Sequence, residues 1–164
     1  MSSWVFTSSD EAATCELGRL LGCLLEDPAL ILLEGDLGTG KSVFARGVAR
    51  GLGVDARIPI TSPTFTLMNH YRARLDLYHF DLYRLTDPDE LIEIGFDDYA
   101  YGSGVALVEW PEKTGDTLQG GLWVRLQRLD NERRLIELSA QDEDHRTLLE
   151  RLRAFVVETA VEQK

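Results

Sequence analysis

The stretch ILLEGDLGTGKSVFARG, Ile31–Gly47, restricts what this chain can be more than any other. Gly35-Asp36-Leu37-Gly38-Thr39-Gly40-Lys41-Ser42 fits the pattern G-x-x-x-x-G-K-[ST] at every required position. The apolar run ALILL precedes it and the helix-period pattern SVFARGVARGLG follows. Strand, tight glycine turn and helix start, in that order, make a cradle for phosphate oxygens. Glycine lets the backbone turn so that successive N–H groups point inward. The first free N–H groups of the helix add a positive dipole end. In such a loop Lys41 reaches the β- and γ-phosphates and the Ser42 hydroxyl takes a place on Mg2+. The loop therefore predicts a nucleotide-binding α/β fold.

The rest of the chain supports that class. ALILL and VALVEW are apolar without alternation, as strands buried on both faces of a parallel sheet are. A short strand at Trp4–Phe6 leads into a helix that Ser8 or Ser9 can cap, with Asp10 and Glu11 on its dipole and an apolar stripe of Leu17, Leu20, Leu21, Leu24 and Leu25. Two strands are expected at Phe65–Tyr71 and Leu75–Phe80, and a short helix at DPDELIEIG. LWVRLQRL and RRLIELS form a hairpin across DNE, and a closing amphipathic helix follows. The expected architecture is a P-loop NTPase-like sheet, largely parallel with an antiparallel portion, flanked by helices, as a single domain over residues 1–164.

Charge narrows the partners. With 17 Lys+Arg against 28 Asp+Glu the formal net charge is −11, which repels phosphate backbones and argues against extended direct contact with nucleic acid. The two cysteines, Cys15 and Cys23, lie eight residues apart on one expected helix, roughly 12 Å along its axis. That is too far for a disulfide, and both read as buried small apolar residues. No basic segment followed by an apolar core opens the chain, and no uncharged run approaches a membrane span, so a cytoplasmic protein is expected.

A phosphate loop needs a second acidic group for Mg2+, commonly at the end of an apolar strand beside it. Glu109 ends VALV and Asp81 ends LYHF; each is either a surface ion pair or helix cap or a site acid. As site acids one holds Mg2+ and the other orients the attacking water, in an order the residues alone leave open. Thr64 in TSPTF is either a loop hydroxyl that senses the γ-phosphate or part of a Ser-Pro turn. Trp110 either stacks on a base or partner or packs inside. His79 reads as a packed strand residue, and Arg84 as a phosphate ligand or a partner of Asp81 or Asp87. The chain's lysines are Lys41, Lys113 and Lys164, and none fits an Asn/Thr-Lys-x-Asp guanine-reading loop, which favours ATP over GTP.

Taken together, GDLGTGKS, SPTFTL, YHFDLYRL, DPDELIEIGFDDY and LVEWPE resemble, in order and spacing, the bacterial TsaE (YjeE) family. The likeness runs from about Leu33 to Glu112. HFDLYRL with VEWPE is far more specific than the glycine loop. The resemblance implies a small P-loop ATPase of tRNA threonylcarbamoyladenosine synthesis. It would act on the TsaD–TsaB heterodimer and meet tRNA only through that complex. Carried over, Gly35, Asp36, Leu37, Gly38, Thr39, Gly40 and Lys41 bind the phosphates of ATP, and Ser42 with Glu109 ligates Mg2+. Asp81 serves hydrolysis near the γ-phosphate, Thr64 lies in a switch-like loop and Trp110 follows the metal acid. Asp10 borders the nucleotide, and Arg134 in the last hairpin contacts it. Two other readings fit the length: a P-loop kinase for a small metabolite, with a lid from RLDNERR or HYRAR, and a nucleotide-sensing adaptor whose hydrolysis is incidental.

Overall fold

The computed structural model describes residues 2–162. Seven strands form one sheet in the order β1-β7-β6-β2-β5-β4-β3. They are β1 (Ser2–Ser8), β2 (Ala29–Glu34), β3 (Met68–Tyr71), β4 (Leu77–Asp81), β5 (Val105–Glu109), β6 (Leu122–Arg128) and β7 (Arg134–Ala140). The central strands β6, β2, β5 and β4 pair in parallel, while β1–β7, β6–β7 and β3–β4 are antiparallel at the two sides. This is the expected mixed α/β architecture.

The two apolar runs are central because both faces are covered. Ile31 and Leu33 of β2, with Val105 and Leu107 of β5, pack beneath α1 (Glu11–Leu24), α2 (Lys41–Leu52) and α5 (Glu143–Glu162). Leu30, Leu32, Ala106 and Val108 face the opposite way, toward α3 (Asp89–Glu93) and α4 (Phe96–Ala100). With neighbours on both sides, alternation has no function, and every residue from Ala29 to Leu33 and from Val105 to Glu109 is buried.

Helices α1 and α2 cross at glycines. Gly22 on one helix meets Gly51 on the other, Gly18 lies on the backbone of Phe44 and Val48, and Gly47 on that of Cys15 and Arg19, so that backbone lies on backbone. A Cβ at Gly47 would overlap the Cys15 carbonyl oxygen and stand 2.9 Å from Arg19 N, neither of which can swing aside. Small residues at helical spacing permit this approach, which brings the amino ends of both helices to the same side of the sheet.

Several local expectations shift. The α1 cap is Asp10, whose carboxylate accepts from Ala13 N at 2.8 Å, while the Ser8 hydroxyl turns inward to Thr14 Oγ1 at 2.7 Å. β3 begins at Met68, because Phe65 lies in a turn and is exposed. Gly95, at φ 71°, ends α3 and opens α4 in one step. Cys15 is half-buried and Cys23 is exposed, not buried, since Cys23 lies off the face that carries Leu17, Leu21 and Leu25.

The helix crossing has a direct test. Gly47→Ala is expected to lower unfolding stability by about 1–3 kcal/mol, the usual cost of overpacking a rigid contact. Chemical denaturation of the variant beside the parent protein measures it.

Candidate active site

The site is set by strand ends. β2, β5 and β4 run in the same direction, and in their register Leu33 pairs with Glu109 and Glu109 with Asp81. Their carboxyl ends are therefore level, on the rim where open α/β sheets bind ligands. The two-residue pleat puts Asp81 and Glu109 side by side on the face covered by α1 and α2. The glycine loop leaves β2 beside them. Gly40, at φ 101°, precedes the first residue of α2, Lys41.

A cleft of about 840 Å³ opens over this rim. Asp10, Asp36, Leu37, Gly38, Thr39, Gly40, Lys41, Ser42, Thr64, Asp81, Glu109, Trp110 and Arg134 all line it. Of the residues singled out from the sequence, Gly35, His79 and Arg84 do not, but the Gly35 carbonyl accepts a hydrogen bond from Lys41 Nζ. Lys41 also donates to Asp36 O at 3.1 Å, and its ammonium stands 4.0 Å from the centre of the Trp110 ring. Trp110 takes the left-handed conformation, φ 60°, rare outside glycine, and this turn ends β5 and carries the ring over Lys41.

Arg134 reaches the loop from the hairpin. Its Nε donates to Thr39 O at 3.1 Å, so it grips the loop from the carbonyl side. The hairpin turn is rigid here: the Asp130 carboxylate accepts from the backbone N–H groups of Glu132 and Arg133. Those bonds and the Arg133 side chain hold the carboxyl down at about 2.

Two participants escaped the sequence reading. Ser62, two residues before Thr64, bridges the site: its hydroxyl lies 2.8 Å from Ser42 Oγ and 3.3 Å from Glu109 Oε2. The signal was present in TSPTF, which offers three hydroxyls. His79 is a packed strand residue as expected, 1% exposed, yet its Nε2 lies 2.7 Å from Glu109 Oε2. Its Nδ1 is the single buried side-chain polar atom without a partner among the described residues. Such an atom costs about 1–3 kcal/mol. Arg84 pairs with neither Asp81 nor Asp87 in the expected way; its guanidinium lies over the Phe65 ring, 4.6 Å from the centre.

The family model described as "Threonylcarbamoyl adenosine biosynthesis protein TsaE" matches residues 8–147. The chain belongs to the TsaE family. Relatives named "tRNA threonylcarbamoyladenosine biosynthesis protein TsaE" agree. The one from Bacillus subtilis is 38% identical over 141 residues, which cover 85% of this chain and 87% of the relative. That from Haemophilus influenzae is 40% identical over 139 residues, or 80% and 86%. That from Treponema pallidum is 43% identical over 105 residues, or 64% and 76%. The crystal structure of Bacillus subtilis YdiB matches with a TM-score of 0.78 at 31% identity, over 94% of this chain and 96% of that one. The role of this TsaE-family chain therefore lies in tRNA threonylcarbamoyladenosine biosynthesis. No helix among the described residues is long and apolar enough to cross a membrane.

The electrostatics of the TsaE-family site follow from burial. Lys41, Asp81 and Glu109 are 6%, 7% and 2% exposed. Loss of water pushes the Asp81 carboxyl up; the Tyr83 N–H it accepts pulls it back, and neighbouring Glu109 raises it further. Burial likewise pushes Lys41 down, opposed by Glu109, Glu112, Asp81 and Asp36. The donors near Ser42, Ser62 and Glu109 are all hard oxygens, which fits Mg2+. Among the described residues no three His, Cys, Asp or Glu side chains gather into a metal cage.

A raised Asp81 has a signed consequence. Its folded-state pKa lies above the unfolded one, so ionisation opposes folding, and stability is lost as pH rises between those two values. Asp81→Asn keeps the acceptor for Tyr83 N–H and removes that charge. The variant is expected to match the parent in melting temperature below the ordinary carboxylate range and to exceed it at neutral pH. Thermal unfolding across pH checks it; a less stable variant at neutral pH would contradict the assignment of burial as the dominant cause.

Proposed function

We propose that this chain is an Mg2+-dependent ATPase that acts on the TsaD–TsaB heterodimer during threonylcarbamoyl modification of tRNA, meeting tRNA only through that complex. The observation that carries the reading is the meeting, in one cleft, of the G-x-x-x-x-G-K-[ST] loop with two buried carboxylates in strand register. A cleft of this size suits a nucleoside triphosphate.

The residues divide the work by their chemistry. Loop N–H groups at the start of α2 and the Lys41 ammonium neutralise phosphate charge. Ser42 and Glu109 would hold Mg2+, with the Ser62 hydroxyl between them, and the ion would supply positive charge to the β- and γ-phosphate oxygens. Asp81, level with Glu109 and with its carboxyl pushed up by burial, is suited to orient the attacking water and accept its proton. Arg134 keeps the loop's carbonyls turned toward itself. Asp10, Thr64 and Trp110 border the same cleft. Trp110 holds its ring over Lys41. A kinase lid finds no support in HYRAR, whose Arg74 is engaged with the carbonyls of Gly22, Leu25 and Gly51 at the far ends of α1 and α2.

Phosphate release from ATP, with and without Mg2+ and with and without purified TsaD–TsaB, tests the reading. Mg2+-dependent release that the heterodimer stimulates is expected. Lys41→Ala should reduce it by about 10²–10³-fold, the scale for deleting one preorganised charge partner. Transfer of the phosphate to a metabolite, or parental turnover in Lys41→Ala, would overturn it.

A further inference from the structure

We propose that His79 is the positioning residue of the site: it holds the Glu109 carboxylate as a ligand for the divalent cation. The inference rests on the ATPase reading above and assigns one further residue to it.

His79 lies on β4 two residues before Asp81, hence on the same face, and pairs in register with Leu107 of β5. Glu109 is two residues further along β5, so the imidazole reaches it diagonally across the ladder. The side chains are 2% and 3% exposed and meet at 2.7 Å. A carboxylate accepts only, so the imidazole hydrogen sits on Nε2 and donates to Oε2. The Ser62 hydroxyl donates to that same oxygen at 3.3 Å. Two donors on Oε2 fix the carboxylate plane and leave Oε1 for the ion. Ligands of bound metals are oriented by hydrogen-bonded neighbours in this way.

Two observations separate this role from others. His79 does not line the cleft, so it touches neither phosphate nor water there and acts through Glu109. Its Nδ1 is buried without a partner among the described residues, while its register partner Leu107, on the same face, is fully buried and apolar. An apolar side chain would fill the position without stranding a polar atom. The bond to Glu109 is therefore what the imidazole contributes.

The test reads cation binding, not turnover. The full-length protein is titrated with Mn2+ at fixed ADP, with free Mn2+ followed by electron paramagnetic resonance. Affinity for a fluorescent ADP is measured without divalent ion, and folding by denaturation. His79→Phe, which keeps a ring and loses the donor, is expected to unfold cooperatively and to bind ADP without cation as the parent does. Its Mn2+ affinity should fall about 10–100-fold. His79→Gln, whose amide can donate to the same oxygen, should recover most of that loss. Parental Mn2+ affinity in folded His79→Phe would overturn the proposal while leaving the ATPase reading intact, as would a folded His79→Gln no better than His79→Phe. Misfolding of both His79→Phe and His79→Leu would overturn it in favour of a purely structural imidazole. A parent protein that binds no Mn2+ with ADP would overturn the ATPase reading together with this one.

Discussion

Parallel pairing of β5 between β2 and β4 is the constraint on which the rest of the site depends. Parallel strands in register place their carboxyl ends on one rim, and here Leu33, Glu109 and Asp81 are level. The side-chain period of two then decides which face the acids take; a slip of one residue would send both to the side of α3 and α4. Register in this sheet is held by burial on both faces, since every position of β5 is enclosed. The chemistry at the strand ends is thus specified by apolar residues that take no part in it.

The second element of the design is close backbone contact. The glycines of α1 and α2 let the helices lie backbone to backbone, so that the Asp10 end of one and the Lys41 end of the other border the same cleft. Around that cleft the protein buries Lys41, His79, Asp81 and Glu109. Burying charge is unfavourable unless each group finds partners. Here His79 and Glu109 are partners of each other, backbone carbonyls serve Lys41 and a backbone N–H serves Asp81. The unpartnered Nδ1 of His79 and the left-handed Trp110 mark where local preference yields to the site.

Much of this was legible in the sequence, for a physical reason in each case. The tight turn into α2 was, because the glycine spacing sets where the chain leaves β2 and the helix begins. So were β2 and β5, as apolar runs without alternation, and Asp81 and Glu109, as acids at the ends of strands. Their side-by-side relation was not, since register is a long-range property that no local window carries. Ser62 hid among three hydroxyls, because which one meets Ser42 depends on how the loop crosses the rim. Asp10 stood in a row of residues that can all cap a helix, and the inward turn of Ser8 decided among them. Cys23 was misread from residue type alone. Phe65 read as the start of a strand, but it lies exposed in a turn with the Arg84 guanidinium over its ring. The glycine contact between α1 and α2 was visible as spacing but becomes interpretable only when both helices are seen together.

The most direct measurement is a crystal structure of the protein with Mg2+ and a non-hydrolysable ATP analogue. Phosphates are expected in the loop of residues 35–42, with Mg2+ bound by Ser42 and Glu109, and Asp81 facing the γ-phosphate. A nucleotide seated away from that loop, or an ion bound without Glu109, would contradict it.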